Sequence, residues 1–499
     1  MNFSEVISGI KTLRRTGGDP LVGSIEYDSR QVTKGSLFAA MQGETTDGNR
    51  FIEKAIAQGA AAVLTDSAAA FDTFQQAIPI ARVDHGRNAL AIASANFFGH
   101  PEKQLELSGI TGTNGKTTTA FLLDAILNHA GRRTVLVGTI EYHIAGAVRP
   151  SPHTTPESRD LLELLREGVD AGASEAVMEV SSHALAQGRV YGLAYDVAIF
   201  TNLTRDHLDF HHTMENYFSA KKRLFDGSLS HAPRVAVVNM EDPHGAELAT
   251  AARDAGAEIF AYGIGTGEFR ADSLKMAAAG MTFTLQMPSG AVEVKTRLTG
   301  RVNVYNLLAA SAAAYARGLS VEQIQAGAAS LACVPGRFQT VDEGQPFTVV
   351  VDYAHTDDAL RNLTALAREF VVATGGRVIT LFGCGGDRDK TKRPLMGKAA
   401  GDGSDFVVLT SDNPRSEVPE AIISDVLPGL HGTRARYAVE PDRVAAIGLA
   451  IHEAKPGDIV LLAGKGHEKT QTVGNKSVPF DDLAVASRYL KELQGGTHA

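Results

Sequence analysis

The chain has 499 residues, 44% of them hydrophobic, and a net charge of −9, which predicts about two to four domains and argues against nucleic acid as a partner. Its two cysteines, Cys333 and Cys384, exclude a disulfide framework and a four-cysteine zinc site and suit a reducing compartment. No stretch nears the roughly 20 apolar residues of a membrane span, so the expectation is a cytoplasmic protein without membrane contact.

Residues 1–102 carry short strand candidates at 23–27, 36–40, 61–65 and 78–83, with an alanine-rich helical pattern at 51–58. His100-Pro101 then breaks the chain. From Leu105 the pattern is βαβ, with strands expected at 105–109, 134–138, 175–180, 197–201, 235–239 and 258–262. Helices are expected at 119–129 and 215–225, and a more β-rich stretch at 281–298. A third block opens near Val334-Pro335-Gly336, with strands at 347–352, 377–382, 406–410 and 458–463. Such alternation predicts an α/β protein whose parallel sheets are covered on both faces. The expected division is 1–102, 103–333 and 334–499.

Residues 109–118 read Gly-Ile-Thr-Gly-Thr-Asn-Gly-Lys-Thr-Thr between an apolar run and a helix. Strand, glycine loop, lysine, hydroxyl and helix together cradle a nucleotide triphosphate, because backbone N–H groups and a helix N-terminus bind phosphate oxygens. Gly112, Thr113, Asn114 and Gly115 form the loop, Lys116 reaches the β- and γ-phosphates, and Thr117, followed by Thr118, offers Mg²⁺ a hydroxyl. The strict pattern wants glycine at position 110, where Ile110 stands. A chance Gly-Lys-Thr in a glycine-rich chain is the bland alternative, and the strand-to-helix context weighs against it.

Ligands in open α/β sheets bind beyond the carboxyl ends of the strands. The expected strands end in Glu179-Val-Ser-Ser-His183, Asn202-Leu-Thr-Arg-Asp-His207, Asp352-Tyr-Ala-His355, Gly383–Arg388, Ser411–Arg415 and Gly464-Lys-Gly-His-Glu468. Each cluster alone reads as a solvated loop. Together they suggest two faces closing on one reaction centre. Glu179 is either a solvated carboxylate or the partner of Mg²⁺ beside the phosphate loop. His207, Asp206 and Asp209 compete for a second metal role, and Mg²⁺ prefers oxygen. Lys221 and Lys222 read first as a solvated helix face. Arg388 and Arg415 suggest a carboxylate-bearing ligand, since an arginine fork binds carboxylate bidentately; ion pairs with Asp387, Asp389 or Asp412 are the alternative. Glu468 is suited to hold an amine, or to pair with Lys465 or Lys469.

Four segments, Gly112–Thr118, Met178–His183, Thr201–Asp209 and Tyr353-Ala-His355, resemble the Mur ligases of peptidoglycan synthesis. Asp412-Asn-Pro-Arg415 and Gly464–Glu468 are similar to those members that add meso-diaminopimelate to UDP-N-acetylmuramoyl-L-alanyl-D-glutamate. The resemblance runs from Asp28-Ser-Arg30 to Glu468, and the variant loop with Ile110 is the family's own form. It implies an N-terminal domain for the UDP moiety, a central ATPase and a C-terminal Rossmann-like domain, working as a monomer. It also implies ATP as substrate, two Mg²⁺ and an acyl-phosphate intermediate. By resemblance, Lys116, Glu179, His207 and Lys221 are catalytic. Thr117, Glu179, His207 and a carbamylated Lys221 (N6-carboxylysine) serve the metals. Ser29 and Glu44-Thr45-Thr46 resemble the UDP-sugar site, and Thr154, Thr155, Ser181, Gln187 and Arg189 the muramoyl-dipeptide contacts. Asn303, Asn306, Arg337 and Asp352 resemble nucleotide contacts. Arg388, Asp412, Asn413, Pro414, Arg415, Gly464 and Glu468 resemble the diaminopimelate pocket. His153 stands where the family commonly has Asn, and Asp357 where it commonly has Pro; the first puts one substrate hydrogen bond in question, the second a helix start. The rivals are the same chemistry with L-lysine, a folylpolyglutamate-synthetase-like ligase, and a nucleotide-gated binding protein without turnover.

Overall fold

Three large sheets organise the chain, and a two-stranded one is attached to the third. The computed structural model describes residues 1–43, 46–277 and 280–495. The first sheet has the spatial order Thr12–Thr16, Ile80–Val83, Ala62–Thr65, Ser36–Ala40, Ser24–Glu26. Only Thr12–Thr16 is antiparallel. That edge strand was not expected, because its Thr-Leu-Arg-Arg-Thr residues are mostly exposed and show no apolar alternation.

The central sheet has eleven strands. Seven parallel ones form its middle, in the order Phe269–Ala277, Glu258–Gly263, Val235–Asn239, Val197–Phe200, Glu106–Thr111, Glu175–Glu179, Thr134–Val137. Along Glu175–Glu179, Val177 packs into one apolar layer and Ala176 and Met178 into the other. Both faces are thus buried, which is why these strands read as continuous apolar runs. Lys116–His129, Arg301–Ala316 and Val321–Ser330 cover one face, and Ser158–Asp170, Met214–Lys222 and Gly245–Asp254 the other. The expectation of a parallel sheet holds for the middle only. Gly280–Met287 and Gly290–Thr296 extend one edge antiparallel, and the hairpin Glu141–Ile144 with Ala147–Pro150 extends the other.

Arg317 locks the end of this sheet opposite the glycine loop. Its side chain is 1% exposed and pairs with Glu106, with Glu175 at 3.0 Å and with Asp196 at 3.6 Å. These carboxylates stand where parallel strands begin, so the stabilising charges lie at one end and the opposite ends are left for chemistry.

The third sheet has the order Gln339–Val341, Thr348–Asp352, Ile459–Ala463, Val378–Phe382, Phe406–Leu409, Arg436–Val439, with only the first antiparallel. Both faces carry apolar layers. The small hairpin Thr470–Val473 with Lys476–Pro479 was not expected; its residues are mostly exposed and polar. No helix among the described residues is long and apolar enough to cross a membrane.

Candidate active site

Strand Glu106–Thr111 lies between Glu175–Glu179 and Val197–Phe200. Their three tips therefore stand side by side, bringing together residues 112–115, Glu179 and Thr201-Asn202. The following helix begins at Lys116, three residues before the expected start, because Gly115 adopts a left-handed conformation (φ 87°) as its N-cap. A Cβ at Gly115 would lie 2.4 Å from Asn306 Oδ1, and one at Gly112 (φ 150°) only 1.9 Å from Thr201 Oγ1. Glycine is needed at both for conformation and for space. Thr201 Oγ1 and Asn202 Nδ2 both donate to Asn114 O, and Asn114 N donates to Asn202 Oδ1. Neighbouring strand tips thus shape the loop in place of a glycine at 110.

Thr117 is the polar hub. Its hydroxyl donates to Glu179 Oε2 at 3.0 Å and accepts from an Arg337 guanidinium nitrogen at 3.1 Å. Glu179, 1% exposed, also accepts from Thr139 N at 2.8 Å and Thr139 Oγ1 at 3.0 Å. Its carboxylate is therefore caged, and the solvated alternative is excluded. Thr139 Oγ1 in turn lies 3.0 Å from Thr154 Oγ1. Thr155 Oγ1 donates to Glu179 O and accepts from Ser181 N, and Arg189 donates to Thr155 O. The expected dipeptide contacts so adjoin the caged carboxylate. Arg189 Nε contacts Gln187 Oε1.

Lys116 Nζ donates to Gly112 O and Thr113 O, both at 2.9 Å. Lys221, 1% exposed, donates to Gly112 O at 2.8 Å and lies 4.4 Å from the Tyr217 ring centroid. Burial first, then the Lys116 charge, pushes the Lys221 amine well below its usual range. Lys222 instead faces Glu247 at the surface, 3.9 Å away. Of the pair, Lys221 is the one that reaches the glycine loop, from helix Met214–Lys222 rather than over 215–225.

His207 has φ 53° and its Nε2 lies 3.4 Å from Asp206 Oδ2. Burial lowers its imidazole below the ordinary value, against the pull of Asp206, which favours the neutral ring that can donate a lone pair. Its ring packs edge-on to His183 at 4.9 Å.

Several side-chain contacts close the seam between the central and third sheets. Besides Arg337 on Thr117, Asn114 Nδ2 donates to Asp358 Oδ2 at 2.9 Å, and Arg205 donates to Asp389 Oδ2 at 2.8 Å and to Thr391. Arg337 also stacks on Tyr353, 4.7 Å from its centroid. Asp352 accepts from Phe338 N and Ala354 N, which turns the chain at Arg337 and Tyr353. Asn306 donates to Asn303 Oδ1 and accepts from Thr119 Oγ1.

In the third sheet, Arg388 and Arg415 both flank Gly385. A Cβ there would lie 2.9 Å from an Arg415 guanidinium nitrogen and 3.9 Å from Arg388 Cγ. Among the described residues neither makes an ion pair: Arg388 donates to Asp387 O and Arg415 to Gly386 O. The acids proposed as their partners are engaged elsewhere. Asp389 pairs with Arg205, Asp387 accepts from Ser416, and Asp412 accepts from Asn413 N. Burial, then the nearby Arg388 charge, lowers the Arg415 guanidinium's affinity for its proton. Asp412, Glu468 and Asp387 act on Arg415 only from beyond ion-pair distance, and two neighbouring cations without a directly paired carboxylate among the described residues suit an anionic ligand. Opposite them, Asn413 Nδ2 and Lys465 Nζ both donate to Glu468 Oε2 at 2.8 Å. Glu468 thus takes Lys465, whereas Lys469 pairs with Asp481. Gly464 has φ 111°, and a Cβ there would meet Asp412 Oδ2 at 2.7 Å. Pro414 lines a pocket of about 230 Å³.

The first sheet meets the central one through Tyr27, whose hydroxyl donates to Asp160 at 2.5 Å, and Arg159, which donates to Ile25 O. A pocket of about 280 Å³ opens there, lined by Gln42, Asp66, His85, Arg87 and Gln187 among others. Ser29 is buried and Thr46 O accepts from Gly43 N. Glu44 and Thr45 lie outside the described residues. His153 is exposed, and its carbonyl accepts from Tyr142 and Ser151. Asp357 opens helix Asp357–Thr374 behind the N-cap Thr356 and pairs with Arg361. Thr139, Tyr217, Arg87 and Lys465 were missed as site residues. Only the strand-tip position of Thr139 and the motif around Lys465 signalled them.

Three family models match in succession: Mur ligase family, catalytic domain, over 22–98; Mur ligase middle domain over 110–314; and Mur ligase, glutamate ligase domain, over 336–466. A protein of Solibacter usitatus, UDP-N-acetylmuramoyl-L-alanyl-D-glutamate–2,6-diaminopimelate ligase, is 52% identical over 98% of both chains. A Geobacillus kaustophilus protein of the same name is 45% identical over 95% of this chain and 96% of its own. A solved structure of a ligase with that name matches at TM-score 0.69 and 32% identity over 99% of each chain. With the caged Glu179, the loop on Thr201-Asn202 and the buried Lys221 already in place, these matches leave one conclusion: the chain belongs to the Mur ligase family.

Proposed function

We propose that this protein is an ATP-dependent ligase that adds meso-2,6-diaminopimelate to the D-glutamyl γ-carboxylate of UDP-N-acetylmuramoyl-L-alanyl-D-glutamate. The observation that carries the choice of amino acid is the Arg388–Arg415 pair around Gly385, two cations without a carboxylate partner among the described residues. Diaminopimelate has one carboxylate more than lysine, and lysine would leave a cation unpaired. Glu468, held on one oxygen by Lys465 and Asn413, is suited to an ammonium.

In this reading the residue 112–115 loop and Lys116 hold the ATP phosphates, with Asn303, Asn306, Arg337 and Asp352 at the nucleotide. The γ-carboxylate oxygen attacks the γ-phosphorus and ADP leaves; the amine nitrogen then attacks the acyl carbon and phosphate leaves. The chain contributes positioning and charge neutralisation. Thr154, Thr155, Ser181, Gln187 and Arg189 orient the dipeptide beside Glu179, and Ser29 with 44–46 takes the UDP-sugar end.

The donors present fit Mg²⁺: the Thr117 hydroxyl and Glu179 carboxylate are oxygens 3.0 Å apart, and burial favours the neutral form of His207. Two ions are expected on Thr117, Glu179, His207 and Lys221. Bound Mg²⁺ supplies neutralisation of phosphate charge. Lys221 is a buried amine with no carboxylate partner among the described residues, a poor resting place for an ammonium. As a carbamate it becomes an anionic oxygen donor. We assign 1–102, 103–333 and 334–499 to the UDP substrate, ATP and the amino acid. The working form is a cytoplasmic monomer.

The test is ADP release in the presence of Mg²⁺. It is expected only when both the UDP-muramoyl-dipeptide and meso-diaminopimelate are present; equal turnover with L-lysine, or none with all three substrates, overturns the proposal.

A further inference from the structure

Arg443 is among the largest fully buried side chains of the molecule, and it lies outside the motifs that carry the chemistry. It belongs to helix Arg443–Glu453, behind the third sheet. Its guanidinium forms a two-pronged pair with Asp482, Nε to Oδ1 at 2.9 Å and a terminal nitrogen to Oδ2 at 2.7 Å, and both side chains are 0% exposed. The remaining donors reach two backbone carbonyls, Ala463 O at 3.0 Å and Ser411 O at 3.4 Å. Ala463 ends strand Ile459–Ala463 and directly precedes Gly464; Ser411 directly precedes Asp412.

One planar group therefore fixes the roots of both loops that form the amino-acid pocket. Those strands are not neighbours, because Val378–Phe382 lies between them and ladders with each, so no ladder hydrogen bond joins their tips directly. Above the clamp, Asn413 and Lys465 meet on Glu468. We propose that Arg443, oriented by Asp482, is a positioning residue for amine selection: it sets the spacing between the Asp412–Arg415 turn and the Gly464–Glu468 loop. The arginine fork is what the task requires, since a lysine has no rigid geometry with which to span an acid and two carbonyls. The inference rests on the functional reading above.

The test compares Arg443→Lys, Arg443→Met and Asp482→Asn with Arg377→Met in the full-length enzyme. Arg377 pairs with Asp458 just before the same Ile459–Ala463 strand, but at its opposite end, so it controls for loss of stability alone. Wild-type turnover with meso-diaminopimelate and with L-lysine is measured first; absence of diaminopimelate turnover there sinks the functional reading and not the clamp. For Arg443→Lys and Asp482→Asn, the KM for meso-diaminopimelate is expected to rise about tenfold or more, as misplacement near 1 Å does. The KM for ATP stays within about twofold, the preference for diaminopimelate over lysine narrows, and Arg443→Lys retains more selectivity than Arg443→Met. Arg377→Met is expected to lower the melting temperature without moving that preference. Unchanged diaminopimelate KM in folded Arg443→Lys and Asp482→Asn, or equal shifts in all substrates matched by Arg377→Met, overturns the proposal.

Discussion

Arg337, from the start of the third domain, donates to the Thr117 hydroxyl of the central phosphate loop across 3.1 Å. The glycine loop's helix and the third-sheet domain therefore share a hydrogen bond. Arg337→Ala is expected to raise the KM for ATP and lower kcat together, by about tenfold or more, since a charged donor and its orientation are both lost. Steady-state kinetics with ATP varied would check this; a change confined to diaminopimelate KM would contradict it.

Glu179 is held by three donors from Thr117 and Thr139. Glu179→Gln keeps the shape and removes the charge. Turnover should fall about 10²- to 10³-fold, the scale of losing one preorganised electrostatic group. The melting temperature should stay close to that of the wild type, and the loss should persist as Mg²⁺ is raised.

Under the proposed function, Lys221 is expected to trade stability for activity. Its amine is buried with one carbonyl and one ring as neighbours. Replacing a desolvated polar group by an apolar one of similar length is often neutral or stabilising. Lys221→Met should keep or raise the melting temperature while ligase turnover falls by about 10²-fold or more. A large drop in melting temperature would show that the amine is structural.

His143, which none of the proposed site roles uses, provides a pH signature. Its ring lies between Asp124, 3.0 Å from Nδ1, and Glu141, 2.9 Å from Nε2. Burial opposes the charged ring, but the two carboxylates outweigh it and lift the imidazole from 6.5 to about 8. A raised folded value means stability is fully present below pH 6.5 and is lost as pH rises through about 8. The loss should be about 2 kcal/mol, at 1.36 kcal/mol per unit. Urea unfolding at pH 6 and pH 9 measures it, and His143→Gln should flatten the difference.

Arg415→Ala should abolish most diaminopimelate-dependent turnover, with ATP binding largely retained. Equal loss of both, seen by nucleotide titration beside the ligase assay, would count against Arg415 as the selecting residue.

Much of the site was legible because strand ends announce themselves. An apolar run followed by Gly, Asp, Asn or His marks a tip, and the parallel middle of the central sheet lines those tips up. Glu179 and the loop at 112–115 could thus be placed near each other before any geometry was known. Burial around a charge was not legible. Lys221 and Lys222 are indistinguishable as letters, yet one is 1% exposed and the other faces Glu247. Edge strands such as Thr12–Thr16 and the hairpin Thr470–Val473 with Lys476–Pro479 were missed because exposure on both faces erases the apolar alternation. Arg443 carried no signal at all, since an arginine buried against Asp482 is thirty-nine residues from its partner.

Arg415 holds a left-handed φ of 51° while its N–H donates to Thr472 O and its carbonyl accepts from Gly474 N. The small hairpin is therefore the mould in which an otherwise unfavourable arginine conformation is cast. The hairpin holds the backbone from which the Arg415 side chain departs, so under the proposed function a change in this peripheral ribbon is expected to shift amine preference while every pocket residue keeps its identity.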